Sequence, residues 1–218
     1  MPVTRPAAAA DPEALGRAIA TGPFAATVVA SPRAAHELAR SLGDRDAKQL
    51  GEVWAVGPAT WRALDIAKLA AQHPDHVRDG VELAKELVAK RTLAGKRVLV
   101  PRAQEGRVEA LEILRSAGAE VVDVIAYRTV AVPATDPAIA HGAELLRSGG
   151  AAVCFVFAPS QANALVAIVG TLGALATKFC AIGTTTAGAL RAAGVDEVAV
   201  AATPTPTGIA AAARALLS

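Results

Sequence analysis

Aromatic residues make up only 3% of this 218-residue chain, with a single tyrosine, two tryptophans and four phenylalanines. A nucleic-acid reader needs a basic stripe interleaved with stacking rings, and here Lys and Arg are scattered and the net charge is only +2, so that class is excluded. A small acidic ligand stays open. Cysteine is equally scarce: Cys154 and Cys180 both lie in apolar, strand-like runs, where the residue acts as a small buried hydrophobe, and both are expected to stay reduced. No apolar run approaches the roughly 20 residues that span a bilayer, and no basic start leads into an apolar stretch at the N-terminus, so a cytoplasmic protein with no membrane partner is expected. His36, His73, His76 and His141 form no ligand cluster beyond the His73/His76 pair. Gly-x-Gly-x-x-Gly, Walker and nucleophile-elbow sequences are missing too, and neither metal nor cofactor is expected.

What is present is apolar residue in quantity, 53% of the chain with a mean hydropathy of +0.38. Its distribution is regular. Short β-branched runs at Thr27–Ala30, Val53–Val56, Arg97–Val100, Val121–Ile125, Ala152–Phe157, Phe179–Ile182 and Val198–Val200 are each followed by a turn and an Ala/Leu-rich stretch. The helices predicted are Pro12–Ala20, Ala34–Leu42, Ala59–Ala71, Val81–Lys90, Arg107–Ala117, Ala138–Arg147, Asn163–Leu175, Thr185–Ala193 and Thr207–Leu217. Continuous apolar strands alternating with helices point to parallel sheets covered on both faces, an α/β fold.

The pattern is written twice. Gly57-Pro58-Ala59-Thr60-Trp61-Arg62-Ala63-Leu64 recurs 126 positions later as Gly183-Thr184-Thr185-Thr186-Ala187-Gly188-Ala189-Leu190. Ser31-Pro32-Arg33-Ala34-Ala35-His36-Glu37-Leu38 recurs at an offset of 127 as Ala158-Pro159-Ser160-Gln161-Ala162-Asn163-Ala164-Leu165. Matches at nearly one offset imply two homologous α/β units, a complete domain at 1–128 and a second at 129–218. The first continues into Gly95–Arg102, a helix, and Gly118–Val124. The second has no such strand-helix-strand, and the offset puts the expected position of that piece ahead of residue 1.

These motifs together resemble the uroporphyrinogen-III synthase family. The likeness rests on Ser31-Pro32-Arg33-Ala34, Val56-Gly57-Pro58-Ala59-Thr60, Val100-Pro101-Arg102 with Gly106-Arg107, Gly118-Ala119-Glu120-Val121 leading to Tyr127-Arg128-Thr129, Phe157-Ala158-Pro159-Ser160, Ala181-Ile182-Gly183-Thr184-Thr185-Thr186-Ala187 and Thr203-Pro204-Thr205-Pro206-Thr207. The resemblance implies two flavodoxin-like domains with the substrate between them, the second lacking its N-terminal strand-helix-strand. It also implies a cofactor-free lyase that closes the linear tetrapyrrole hydroxymethylbilane to uroporphyrinogen III with ring D inverted. The preceding bilane-forming enzyme is then a possible partner, and the complete protein is expected to be a monomer.

Ligands of parallel sheets bind beyond the strand carboxyl ends, where helix N-termini present free N–H groups to anions. Ser31, Thr60, Ser160, Thr184, Thr185, Thr186 and Thr207 begin or precede predicted helices and are candidate donors to substrate carboxylates; ordinary helix capping is the competing role for each. Arg33, Arg102 and Arg107 follow strands, where a guanidinium can pair bidentately with a carboxylate or lie solvated at the surface. Tyr127 ends a strand and opens the Tyr-Arg-Thr linker. It is either a packed phenol or a general acid that helps the bilane hydroxyl leave. Two departures from the family stand out: Ala158 replaces the hydroxyl of Ser31, and Lys68 occupies a helix end that carries Gly194 in the second copy.

A non-catalytic two-domain binder of a tetrapyrrole or another small molecule fits the same two-lobe pattern. A last expectation concerns Ala152–Phe157. Without a strand-helix-strand beside it, this apolar segment becomes a sheet edge, so that either the chain self-associates there or the second unit folds loosely.

Overall fold

The computed structural model describes residues 1–217. In chain order it contains β1 (Thr4–Ala8), α1 (Ala14–Ala20), β2 (Ala26–Val29), α2 (Pro32–Leu42), β3 (Glu52–Ala55), α3 (Gly57–Ile66), β4 (Ala71–Gln72), α4 (Gly80–Lys90), β5 (Arg97–Ala103), α5 (Glu109–Ser116), β6 (Glu120–Ala131), α6 (Pro137–Arg147), β7 (Val153–Val156), α7 (Pro159–Val169), β8 (Lys178–Ala181), α8 (Thr184–Ala192), β9 (Val198–Val200) and α9 (Pro206–Leu217). Short 3-10 turns at Ala47–Leu50 and Leu172–Ala174 precede β3 and β8. Two compact units result: a larger one, Pro6–Thr129, and a smaller one made of Met1–Arg5 with Val130–Ser218.

A six-stranded sheet in the order β1-β6-β5-β2-β3-β4 carries the larger unit, and the β6:β5, β5:β2, β2:β3 and β3:β4 pairs are parallel. Side chains alternate across it with the period of a strand. Val29, Val53, Ala55 and Leu99 face a core completed by Leu15 and Ile19 of α1, Leu38 of α2 and Leu64 of α3. Ala26, Val28, Trp54, Val98 and Val100 face a second core completed by Leu83 and Leu87 of α4 and Leu111 and Leu114 of α5. Both faces are therefore buried, as the unbroken apolar runs require. Thr27 is the buried polar exception on β2, and its hydroxyl donates to the Leu50 carbonyl at 2.6 Å.

The smaller unit has a three-stranded parallel sheet, β7-β8-β9. Ile139, Leu146, Leu165 and Leu190 from α6, α7 and α8 cover one face with Val156 and Phe179; Ile209, Ala213 and Leu216 of α9 close over Cys180 on the other. Among the described residues this sheet has no counterpart of β5 and β6. The N-terminal residues join the smaller unit from a distance in sequence, with Val3 and Val132 in its core and the Val132 N–H donating to the Val3 carbonyl at 2.9 Å. Burial raises both thiols, Cys154 and Cys180, above their ordinary range, and both are free.

Several boundaries differ from the sequence expectation. β1 and the two-residue β4 were not predicted, because each is too short or too proline-broken to show a period. α7 starts at Pro159 rather than Asn163, since proline at the first helical position needs no N–H partner, and it stops at Val169 where Gly170 takes φ +86°. α3 stops at Ile66, well short of Ala71. A left-handed residue closes it. Lys68 adopts φ +58°, and the Leu69 N–H reaches back to the Leu64 carbonyl at 2.9 Å. Gly194 makes the same turn after α8, at φ +88° with Val195 donating to the Leu190 carbonyl at 3.1 Å. A lysine there bears the steric cost of the left-handed region that glycine avoids.

Capping is most complete at α4. Asp79 accepts from the N–H groups of Val81 and Glu82, both at 2.9 Å, and pairs with Arg107 at 2.6 Å. The backbone donors, then Arg107, hold its carboxyl below the usual aspartate range.

Lys68→Gly should stabilise the protein by about 0.5–1 kcal/mol, the relief of left-handed strain less the added freedom of glycine when unfolded; denaturant midpoints of the variant and of Gly194→Ala should move in opposite directions. The depressed Asp79 carboxyl contributes stability that is complete above the ordinary aspartate value, about 3.9, and is lost as pH falls through its lower folded value. Asp79→Asn keeps the cap but not the charge, so it should cost a few tenths of a kcal/mol near neutrality. In urea titrations that difference should shrink in acid; a pH-independent difference would refute the electrostatic account.

Candidate functional site

At the carboxyl ends of β2, β3 and β5 the larger unit encloses a cavity of about 300 Å³, bounded on one side by the start of α4. Ser31, Arg78, Asp79, Arg102, Arg107 and Tyr127 line its polar side, and Val28, Val100 and Leu111 its apolar floor. The topology accounts for the position: β2 lies at the centre of the sheet, between β5 and β3, and successive loops there leave a crevice.

Ser31 sits one residue before α2 and serves two partners. Its Oγ accepts from the Ala34 N–H at 3.1 Å, the ordinary cap, and lies 3.1 Å from the Tyr127 hydroxyl. Tyr127 is on β6 and half-buried, with its ring against the core beneath α1 to α3. Two candidates separated by 96 residues are thus joined in one hydroxyl pair.

The arginines divide by their partners. Arg102 is four-fifths buried or more, pairs bidentately with Asp123 at 2.7 and 2.9 Å, and donates to the carbonyls of Ala103 and Gly106 at 3.0 and 3.3 Å. Its donors are thereby turned on the 103–106 loop, which they clamp. Arg107 reaches across the cavity mouth to Asp79, the α4 cap. Arg33 points elsewhere: it pairs at 2.7 Å with buried Glu37, which also holds Arg40. Thr60 is 2% exposed, inside α3, and does not cap it.

Sequence reasoning missed Arg78, Asp79 and Gly80. The exposed Arg78 lines the cavity beside the N-terminus of α4 and pairs there with the Asp75 carbonyl, while its N–H donates to Glu82 at 2.6 Å. The Asp-Gly step before an apolar-periodic run was the available signal, an N-cap ahead of a helix.

In the smaller unit the predicted hydroxyls occupy the starts of α7, α8 and α9. Thr184 and Thr185 are in the first turn of α8 and not buried, whereas Thr186 is buried, with Gly183 as the cap position and no side-chain cap. Ser160 is in the first turn of α7, behind Ala158, which offers no capping oxygen. Thr207 is exposed, and it is Thr205 that caps α9, accepting from the Gly208 N–H at 3.1 Å. No group of three His, Cys, Asp or Glu that could hold a metal, and no helix long and apolar enough to cross a membrane, occurs among the described residues.

Chemically, the cavity of the larger unit offers guanidinium groups and an Asp79-capped helix start beside one paired phenol. Such a lining suits a carboxylate-bearing ligand.

The structure superposes on uroporphyrinogen-III synthetase from Helicobacter pylori with a TM-score of 0.71 at 19% identity, covering 99% of this chain and 92% of that one. It also superposes on a mutant uroporphyrinogen III synthase from the extremely thermophilic bacterium Thermus thermophilus, with a TM-score of 0.62 at 20% identity over 99% and 87% of the two chains. The wild-type Thermus enzyme in another crystal form gives 0.51 at 21% over 98% and 85%. At such identities the likeness speaks for the fold. No curated protein matches. The family described as uroporphyrinogen-III synthase HemD, however, matches residues 1–211, nearly the whole length, and the chain belongs to the uroporphyrinogen-III synthase family, cyclising lyases of tetrapyrrole biosynthesis.

Proposed function

We propose that Tyr127 is the general acid of the ring closure and that the cavity of the larger unit holds carboxylate arms of hydroxymethylbilane. The observation that carries this reading is the Ser31–Tyr127 hydroxyl pair in the arginine-lined cavity. Because the Ser31 Oγ already accepts from Ala34, its own proton is free to turn toward the phenol oxygen. The Tyr127 proton is then left to point outward. It is donated to the terminal hydroxyl of the bilane, which departs as water while a pyrrole nitrogen supplies the electron pair. The resulting azafulvene cation is attacked by the substituted carbon of ring D; the spiro intermediate fragments and recloses with ring D inverted. The protein's part is to protonate one atom and hold the chain folded, which is positioning rather than covalent chemistry.

Arg78 and Arg107 are the anion-binding side of this reading. Arg102 shapes the loop that carries Arg107. Ser160, Thr184 and Thr185 supply further hydroxyl and N–H donors on helix starts of the smaller unit. We place the protein in the cytoplasm, where its two free thiols stay reduced.

Bilane left to itself closes to the type I isomer, so the isomer ratio is the readout. The folded protein should yield type III without added cofactor, and exclusively type I product would sink the assignment. Tyr127→Phe should lower kcat by roughly 10²-fold to 10⁴-fold with little change in KM. Ser31→Ala should cost less, about tenfold, and should also soften the cap of α2. A Tyr127→Phe enzyme with unchanged turnover would return the phenol to a packing role.

A further inference from the structure

Arg102 and Arg107 both line the cavity of the larger unit, and they are held in different ways. The Arg102 side chain is only 16% exposed, pairs bidentately with Asp123 and donates to the Ala103 and Gly106 carbonyls as well. Such a guanidinium is fixed. The Arg107 side chain is 58% exposed, and its guanidinium makes one hydrogen bond among the described residues, from Nη2 to the Asp79 Oδ2 at 2.6 Å. The clamp on the 103–106 loop thus fixes where Arg107 begins, while its charged end is tied at a single nitrogen.

Asp79 does not depend on that tie. Its Oδ1 accepts from the N–H groups of Val81 and Glu82, both at 2.9 Å, and the Glu82 N–H does more than Arg107 to hold the carboxyl below the usual aspartate range. A carboxylate at a helix start is stabilised there without a salt-bridge partner. An ion pair as exposed as this one contributes little, so parting it costs little. Asp79 also occupies the helix N–H groups that a ligand carboxylate would otherwise take. It is itself a carboxylate already seated on the donors that a carboxylate ligand needs.

We propose that Asp79 is an internal competitor of the substrate. The inference rests on the reading of this cavity as the carboxylate site: Arg107 leaves Asp79 for a carboxylate arm of the bilane and returns to it when the product departs. Ring closure expels a hydroxyl and rearranges carbon–carbon bonds but alters no arm, so Asp79 lowers the affinity for substrate and product alike. Its role is to set affinity, since it touches none of the reacting atoms. Dissociation rates carry most differences in affinity, and an arginine with a partner waiting lets the product go sooner.

The test is calorimetric titration of the folded chain with uroporphyrinogen III under anaerobic conditions, with KM for hydroxymethylbilane as a second readout. Asp79→Asn keeps an acceptor for the α4 N–H groups but offers Arg107 no charge, and should lower both the product Kd and KM about threefold to tenfold. Asp79→Ser, another neutral cap, should do the same, which separates the effect from any loosening of α4. Arg107→Ala should weaken product binding about tenfold. In the Arg107→Ala background the gain from Asp79→Asn should vanish, because no guanidinium is left to contest; a gain that persists there is charge repulsion alone and overturns the exchange. Arg107-dependent binding that Asp79→Asn leaves unchanged or weakens overturns this proposal and spares the carboxylate reading of the cavity. Product binding indifferent to Arg107→Ala overturns both.

Discussion

Double-sided burial of a parallel strand is the constraint from which the rest of this protein follows. A strand such as β2 has to bury both faces and pair both edges, and it does: Val28 and Val29 point into opposite cores while β3 and β5 flank it. Covering both faces demands helices on each side, and a helix can return only by crossing the sheet, so these parallel strands end in the same direction. The carboxyl ends consequently gather on one rim, where side chains distant in sequence meet. Ser31 and Tyr127 are the product of that convergence.

The cavity at that rim pairs its charges. Arg102 and Arg107 each face a carboxylate, Asp123 and Asp79, and Asp79 is itself held ionised by two helix N–H groups. Partly buried pairs of this kind add little net stability, since desolvation offsets attraction. Their effect is geometric: the Arg102 guanidinium pins the loop carrying Arg107, and Arg107 spans to the helix start beside Arg78. On the proposed reading, a substrate carboxylate would meet donors already oriented, with less ordering left to do on binding.

The two units show how one plan tolerates different local solutions. Where Ser31 caps α2 through its hydroxyl, Ala158 cannot cap α7, and the nearby Gln161 Oε1 instead accepts from the Phe157 N–H at 2.8 Å. Where Gly194 turns the chain after α8, Lys68 makes the same turn against its preference. Larger still is the difference in sheet size. β2 has a strand on each edge and β7 on only one, so residues of like pattern are core in one unit and half-exposed in the other.

The period of the apolar runs, the Ser31, Gly57 and Gly183 turns and the offset of about 126 residues determined by themselves that the chain is a repeated α/β fold, because burial of parallel strands writes itself into consecutive residues. They also marked Ser31, Arg102, Arg107 and Tyr127 as candidates, since polar residues at strand ends are legible wherever the strands are. Elements without a period, β1 and β4, were not legible, and helix ends such as Ile66 and Val169 were set by single left-handed residues. Which candidates meet was decided only by the tertiary structure: that Ser31 bonds Tyr127, that Arg33 turns to Glu37, that Thr60 is buried, and that Arg78 and Asp79 join the cavity. Strand order and helix packing fix those distances, and neither is encoded in the spacing of residues along the chain.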